Sequence, residues 1–172
     1  MDHTDRENLA EKLLAAGALR TEPGGENPLR WDDEAALADP PLRETLKEAL
    51  AVLVREHYSA AEAVLGDAWG AETAAVLGLP FSPPELPRRP VVITGSGDGL
   101  APYLPELTAL RSAGGSPAAA VIWNGRDEAL RLTLDRADIR CHWLTDLEAG
   151  AAAALRAGSL DFFDYCRLLP QE

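Results

Sequence analysis

The chain has 172 residues, 47% of them hydrophobic, and a formal net charge of -12. That size suits one domain with a core of its own, and with only two lysines, Lys12 and Lys47, and dispersed arginines, the charge excludes a nucleic-acid binder, which needs clustered cations to neutralise phosphates. No apolar run approaches the length of a membrane span, and the opening MDHTDRENLAEKLL is acidic where a secretory leader is basic and then apolar, so a cytoplasmic protein with no membrane partner is expected.

In chain order, Thr4 and Glu7 form a capping-box pattern ahead of Leu9, Leu13 and Leu14, which predicts a first helix closed by Gly17. The stretch Thr21 to Asp39 is rich in glycine and proline and is expected to be loop, with at most a short strand around Leu29 to Trp31. Asp39 followed by Pro40 and Pro41 predicts the start of a second helix, with Leu42, Leu46, Ala49, Leu50 and Leu53 as its apolar stripe.

From Ala60 the pattern becomes short apolar runs alternating with helical stretches, which predicts βα units around a mostly parallel sheet. Strands are expected at Ala63 to Leu65, Val91 to Thr94, Ala118 to Trp123 and Ile139 to Leu144. Helices are expected at Gly70 to Leu77, at Leu100 to Ala113, after a capping box of Thr145 and Glu148, and at Ser159 to Leu169, where Leu160, Phe163 and Leu168 are the packing candidates. The whole of 1–172 reads as a single α/β domain, its sheet flanked by helices.

Two glycine-containing turns follow predicted strands, and open α/β sheets bind ligands at those strand ends. Gly66-Asp67-Ala68-Trp69-Gly70 admits two readings, an anion-binding turn at a helix N-terminus or an ordinary tight βα turn; Asp67 opposes the first. Thr94-Gly95-Ser96-Gly97-Asp98-Gly99 is either a cradle whose amides and hydroxyls hold one phosphate without a lysine, or a flexible connector. It has neither the Gly-Lys-Ser/Thr ending of a P-loop nor a dinucleotide fingerprint, and Gly95-Ser96-Gly97 is too short for a hydrolase nucleophile elbow. Trp69 is either a stacking residue or buried. The acids Asp32, Asp33 and Glu34 suit a solvated loop or helix start, with an acid/base pair as the alternative. His57 reads as a helix-end residue, His142 as a strand residue, and Cys141 and Cys166 as buried free thiols; with His3 they show no metal-ligand spacing, and no metal site is expected.

The order of these segments resembles orotate phosphoribosyltransferase, a type I phosphoribosyltransferase, over nearly the whole chain. LAEKLLAAGAL is similar to that family's first helix, and GENPLRWDDEAALADP to the stretch after it. AVLGDAWGAETAAVLGLP is similar to its strand, pyrophosphate loop and helix, the region from Val91 to Trp123 to the strand, phosphoribosyl-pyrophosphate loop and following strand, and HWLTDLEAG to the closing strand and helix. The departures fall where the resemblance places function. The acidic pair expected at the end of the Val91 strand is replaced by Thr94-Gly95-Ser96, leaving Asp98 as the only nearby acid in sequence. The pyrophosphate-loop lysine is absent, and the hood with its mobile lysine-bearing loop is reduced to FSPPELPRRP, where Arg88 and Arg89 remain.

The resemblance therefore implies a catalytically inactive relative that binds a phosphorylated small molecule or a protein partner. The alternative is an active or altered enzyme, converting orotate and phosphoribosyl pyrophosphate to orotidine monophosphate and completed by a partner chain. It further implies a homodimer, or a heteromer with an active paralogue, and magnesium only if phosphoribosyl pyrophosphate is bound.

Overall fold

The computed structural model describes residues 3–22, 28–125 and 128–168. The chain runs α1 (His3–Ala15), β1 (Leu19–Thr21), β2 (Leu29–Trp31), α2 (Asp33–Ala38), α3 (Pro40–His57), β3 (Ala63–Gly66), α4 (Ala68–Leu77) and β4 (Pro90–Ser96). A 3-10 helix (Gly97–Tyr103) follows, then α5 (Leu104–Ser112), β5 (Ala118–Asn124), α6 (Glu128–Arg136), β6 (Arg140–Asp146), α7 (Leu147–Arg156) and α8 (Phe162–Leu168). The strands β3-β4-β5-β6 form a parallel sheet in sequence order, and β1 and β2 pair antiparallel beside it.

Both faces of the sheet are covered, which is why its central strands read as unbroken apolar runs. Successive residues still point to opposite faces. Val91, Ile93, Ala120, Ile122 and Leu144 pack with Leu13, Leu46, Leu50 and Trp69 on the face covered by α1, α3, α4 and α7. Val92, Ala119 and Val121 pack with Leu100, Leu107 and Leu134 on the other. The fold is the expected α/β arrangement of a parallel sheet flanked by helices, with the small β1-β2 sheet in addition.

The segment FSPPELPRRP forms no hood. Its start lies along the outer edge of β3: the Val64 amide donates to the Pro80 carbonyl at 2.9 Å, the Ser82 amide donates to the Val64 carbonyl at 2.9 Å, and Phe81 bridges Val64. The sheet edge is thereby covered by a proline-rich strap.

Several local expectations are corrected. Thr4 lies inside α1, whose described part already begins at His3. The stretch expected to be loop contains α2, capped by Asp32 through the Ala35 amide. The predicted helix Leu100 to Ala113 is divided, because Pro105 would lack the amide that a helix begun at Leu100 needs at that position, and it lies instead in the first turn of α5, which starts only at Leu104. The cap of α7 is Asp146, not Thr145, which lies in β6 and donates its hydroxyl to the Arg6 carbonyl. In α8, Leu168 is buried and Leu160 just before it is buried too, but Phe163 is 82% exposed. Cys166 is likewise exposed and Cys141 only partly buried.

Candidate active-site edge

Parallel pairing of β3 with β4 brings the two glycine turns side by side at the carboxyl end of the sheet, with Gly66 opposite Ile93. Asp67 joins them. Its Oδ1 accepts the Trp69 amide at 2.9 Å, capping α4, while its Oδ2 accepts the Gly95 amide at 3.0 Å. Two backbone donors at the strand ends are thus held by one carboxylate of the protein itself. Burial first, and Asp33 more weakly, push the Asp67 carboxyl above its ordinary value, against the opposing pull of the amides of Gly95, Trp69 and Gly70.

The glycines of the first turn serve backbone approach within the protein. Gly66 has φ +133°, and a Cβ on it would overlap the Ile93 carbonyl; a Cβ on Gly70 would stand 2.7 Å from the Leu65 carbonyl oxygen. Any larger residue would push α4 away from β3 and β4. Ala68 is exposed beside them, whereas Trp69 is fully buried, so burial is the outcome for Trp69 and a stacking role is not.

The sequence pattern concealed what Trp69 binds. Its indole Nε1 donates to Asp33 Oδ1 at 2.8 Å, and the Trp31 indole donates to the same oxygen at 2.7 Å. Asp33 also lies against Gly95, so closely that a Cβ on Gly95 would overlap its carboxylate. The acids near the end of β4 are therefore Asp33 and Asp67, both distant in sequence. Asp32, next in the acidic run, caps α2 and pairs with Arg20 at 2.6 Å.

In the second turn, Thr94 and Gly95 are buried and belong to β4. The Thr94 hydroxyl donates to the Ser96 carbonyl at 2.8 Å. Gly97, Asp98 and Gly99 begin the 3-10 helix, with Asp98 exposed and Gly99 close against Thr94, 3.0 Å from its Cβ for an added Cβ. The turn is thus a strand end tied by its own hydrogen bonds, followed by a tight helical start.

At the opposite end of the sheet, His57 and His142 stack with ring centroids 3.9 Å apart. The Tyr58 hydroxyl lies 2.7 Å from His142 Nδ1 and 3.0 Å from the Ala119 carbonyl. Burial and then the neighbouring His57, Arg140 and Arg6 lower the His142 pKa, which favours the neutral ring there. Among the described residues no cluster of three or more His, Cys, Asp or Glu could hold a metal ion, and no helix is long and apolar enough to cross a membrane.

No family model matches the chain. Among curated proteins it is similar to the orotate phosphoribosyltransferase of Bacillus caldolyticus, 33% identical over 78 residues, an alignment spanning 41% of this chain and 38% of that protein. Among solved structures, that of orotate phosphoribosyltransferase from Aeropyrum pernix superposes with a TM-score of 0.66 at 22% identity, covering 87% of this chain and 99% of the other. Adenine phosphoribosyltransferase from Leishmania donovani superposes with a TM-score of 0.59 at 16% identity, covering 82% and 80%. The chain has the type I phosphoribosyltransferase fold and is similar to orotate phosphoribosyltransferases, although its fold is shared with enzymes of a different base.

Proposed function

We propose that this chain is a phosphoribosyltransferase-fold protein that does not transfer phosphoribosyl groups and acts instead by binding a protein partner. The observation that carries this reading is the Asp67 carboxylate on the Gly95 amide, with Asp33 pressed against the same glycine. In the resemblance, these two turns are where pyrophosphate and the phosphorylated ribose are held. A carboxylate and a phosphate about 4 Å apart repel by about 1 to 4 kcal/mol over the dielectric range of a protein surface. Here two carboxylates stand at the strand ends, and the only lysines of the chain, Lys12 and Lys47, lie on α1 and α3.

Transfer to a nitrogen base passes through a cationic ribosyl centre and releases pyrophosphate, so the enzyme must stabilise the departing anion by preorganised donors. The Gly95 amide is one such donor by position, and Asp67 engages it. Magnesium would enter only with phosphoribosyl pyrophosphate, and the donor set fits that complex poorly, because Asp33 already accepts two indole N–H groups. The partner is a second copy of this chain or an active paralogue. Any phosphorylated small molecule bound at Gly97 to Gly99 is held weakly and through one phosphate.

The test is a thermal-shift titration with phosphoribosyl pyrophosphate and magnesium, since a ligand that prefers the folded state raises Tm. No shift is expected at millimolar ligand; a saturable shift of several degrees would contradict the reading. The 33% identity over 78 residues favours the alternative of an active or altered orotate phosphoribosyltransferase. That alternative requires the shift, and requires orotate to add to it.

A further inference from the structure

On the sheet face away from α3, a cavity of about 420 Å³ lies between α6 and the strands β5 and β6. Its size falls in the range of small-molecule pockets. Val121, Cys141 and Trp143 line it from the sheet, and Leu130 and Leu134 from α6. The sheet side is shallow at Cys141, where the side chain is small, and burial pushes that thiol up to about 12, so it is neutral.

Of the charged groups at the rim, Arg131, Asp135 and Asp138 are held in ion pairs, and Arg140 is held against an aromatic ring. Arg131 pairs with Glu128 at 2.6 Å and with Asp135 at 3.2 Å, Asp138 pairs with Arg111, and the Arg140 guanidinium lies over the Tyr58 ring. The Trp143 indole N–H donates to Asp146 at 3.1 Å. Apart from these groups and Asn124, the residues that line the cavity are apolar. Water gains few hydrogen bonds in such a space, and an apolar guest displaces it favourably.

Gly97 lines the mouth of this cavity, at the end of β4. A Cβ there would lie 2.9 Å from Leu130 Cδ2, so glycine at this position leaves Leu130 in its place on the roof. We propose that the cavity beneath α6 is a binding site for an uncharged, planar aromatic molecule of one or two fused rings, entering past Gly97 and resting between Trp143 and the leucines of α6. The volume admits such a ring system, and of the rim charges Arg131, Asp135 and Asp138 are already paired while the Arg140 guanidinium is turned to Tyr58. This site does not depend on whether phosphoribosyl transfer is retained.

Indole serves as the probe, with indole-3-acetate as its charged counterpart, in a titration of the full chain followed by methyl NMR. Saturable one-to-one shifts confined to Val121, Leu130, Leu134 and neighbouring methyls are expected, with indole-3-acetate at least tenfold weaker. Gly97→Val, which displaces Leu130, and Cys141→Leu, which fills the floor, should each weaken indole at least tenfold. If Gly97→Val fails to fold, Cys141→Leu decides alone, and if both fail the wild-type shift map decides. Absent or unsaturable shifts, shifts mapped elsewhere, equal binding of the charged analogue, or undiminished binding by a folded variant would each overturn the proposal.

Discussion

Asp33 and Trp69, 36 positions apart, are joined by an indole-to-carboxylate hydrogen bond of 2.8 Å that ties the start of α2 to the first turn of α4. Trp31 donates to the same oxygen, so one carboxylate serves two indoles at the edge of the core. Asp33→Ala leaves both N–H groups without that acceptor, one of them on a fully buried ring. Loss of a charged acceptor costs about 2 to 3 kcal/mol. Urea unfolding should show that loss with an unchanged slope, and Asp33→Asn, which keeps one acceptor oxygen, should lose less.

Gly95 is hemmed in by the same carboxylate. Gly95→Ala should destabilise the fold by about 1 to 3 kcal/mol, the usual cost of overpacking a filled site, and Asp33→Ala should relieve part of it in the double variant. Strict additivity in the double-mutant cycle would show that the two residues do not meet. Placing acids by Gly95→Asp and Ser96→Asp is not expected to restore transfer, because a third and fourth carboxylate would enter an already anionic edge.

Much of this arrangement was legible in the sequence. The apolar runs placed all four parallel strands, and Asp39 before Pro40 marked the start of α3, because those signals are local: strand burial, a capping oxygen and a fixed proline φ. The loss of the hood followed from four prolines in FSPPELPRRP, but the seating of that segment along β3 did not. The closure of the strand ends was not legible. Asp33 looked like part of a solvated acidic run, and nothing in its neighbours specifies two indole donors, one of them brought by a helix folded from a distant segment. The glycines of Gly66 to Gly70 suggested close approach, but sequence cannot distinguish a ligand from the Ile93 backbone as the thing approached. Helix α6 was missed although Leu130 and Leu134, at i and i+4, give it an amphipathic pattern that was there to be read.

Asp67 should leave a signature in pH. Its folded pKa lies above the ordinary 3.8, chiefly through burial, so the folded state binds the proton more readily than the unfolded chain. The charged form is a cost to the fold that is fully present above the raised pKa and is relieved as the pH falls through it towards 3.8. Wild type should therefore gain stability relative to Asp67→Ala as the pH is lowered from 7 towards 4, read as the difference in urea midpoints. A difference independent of pH would remove Asp67 from that role.

His142 should act in the opposite sense. Its folded pKa is lowered from 6.5 by burial and by His57, Arg140 and Arg6, so the unfolded state takes the proton first. That contribution to stability is present above about 6.5 and is lost as the pH falls from there through the lowered value. Relative to His142→Gln, wild type should lose melting temperature on going from pH 7 to pH 5, and the loss should shrink in a His57→Gln background, where the stacked neighbour is gone.

The proposal that this chain does not transfer phosphoribosyl groups is tested most directly by assaying the purified protein with orotate, phosphoribosyl pyrophosphate and magnesium, and following orotidine monophosphate and pyrophosphate together. With Asp67 on the Gly95 amide and Asp33 against the same glycine, neither product is expected above the uncatalysed background at micromolar protein over hours. Formation of both in equal amounts, at a rate proportional to protein and lost on denaturation, would contradict it.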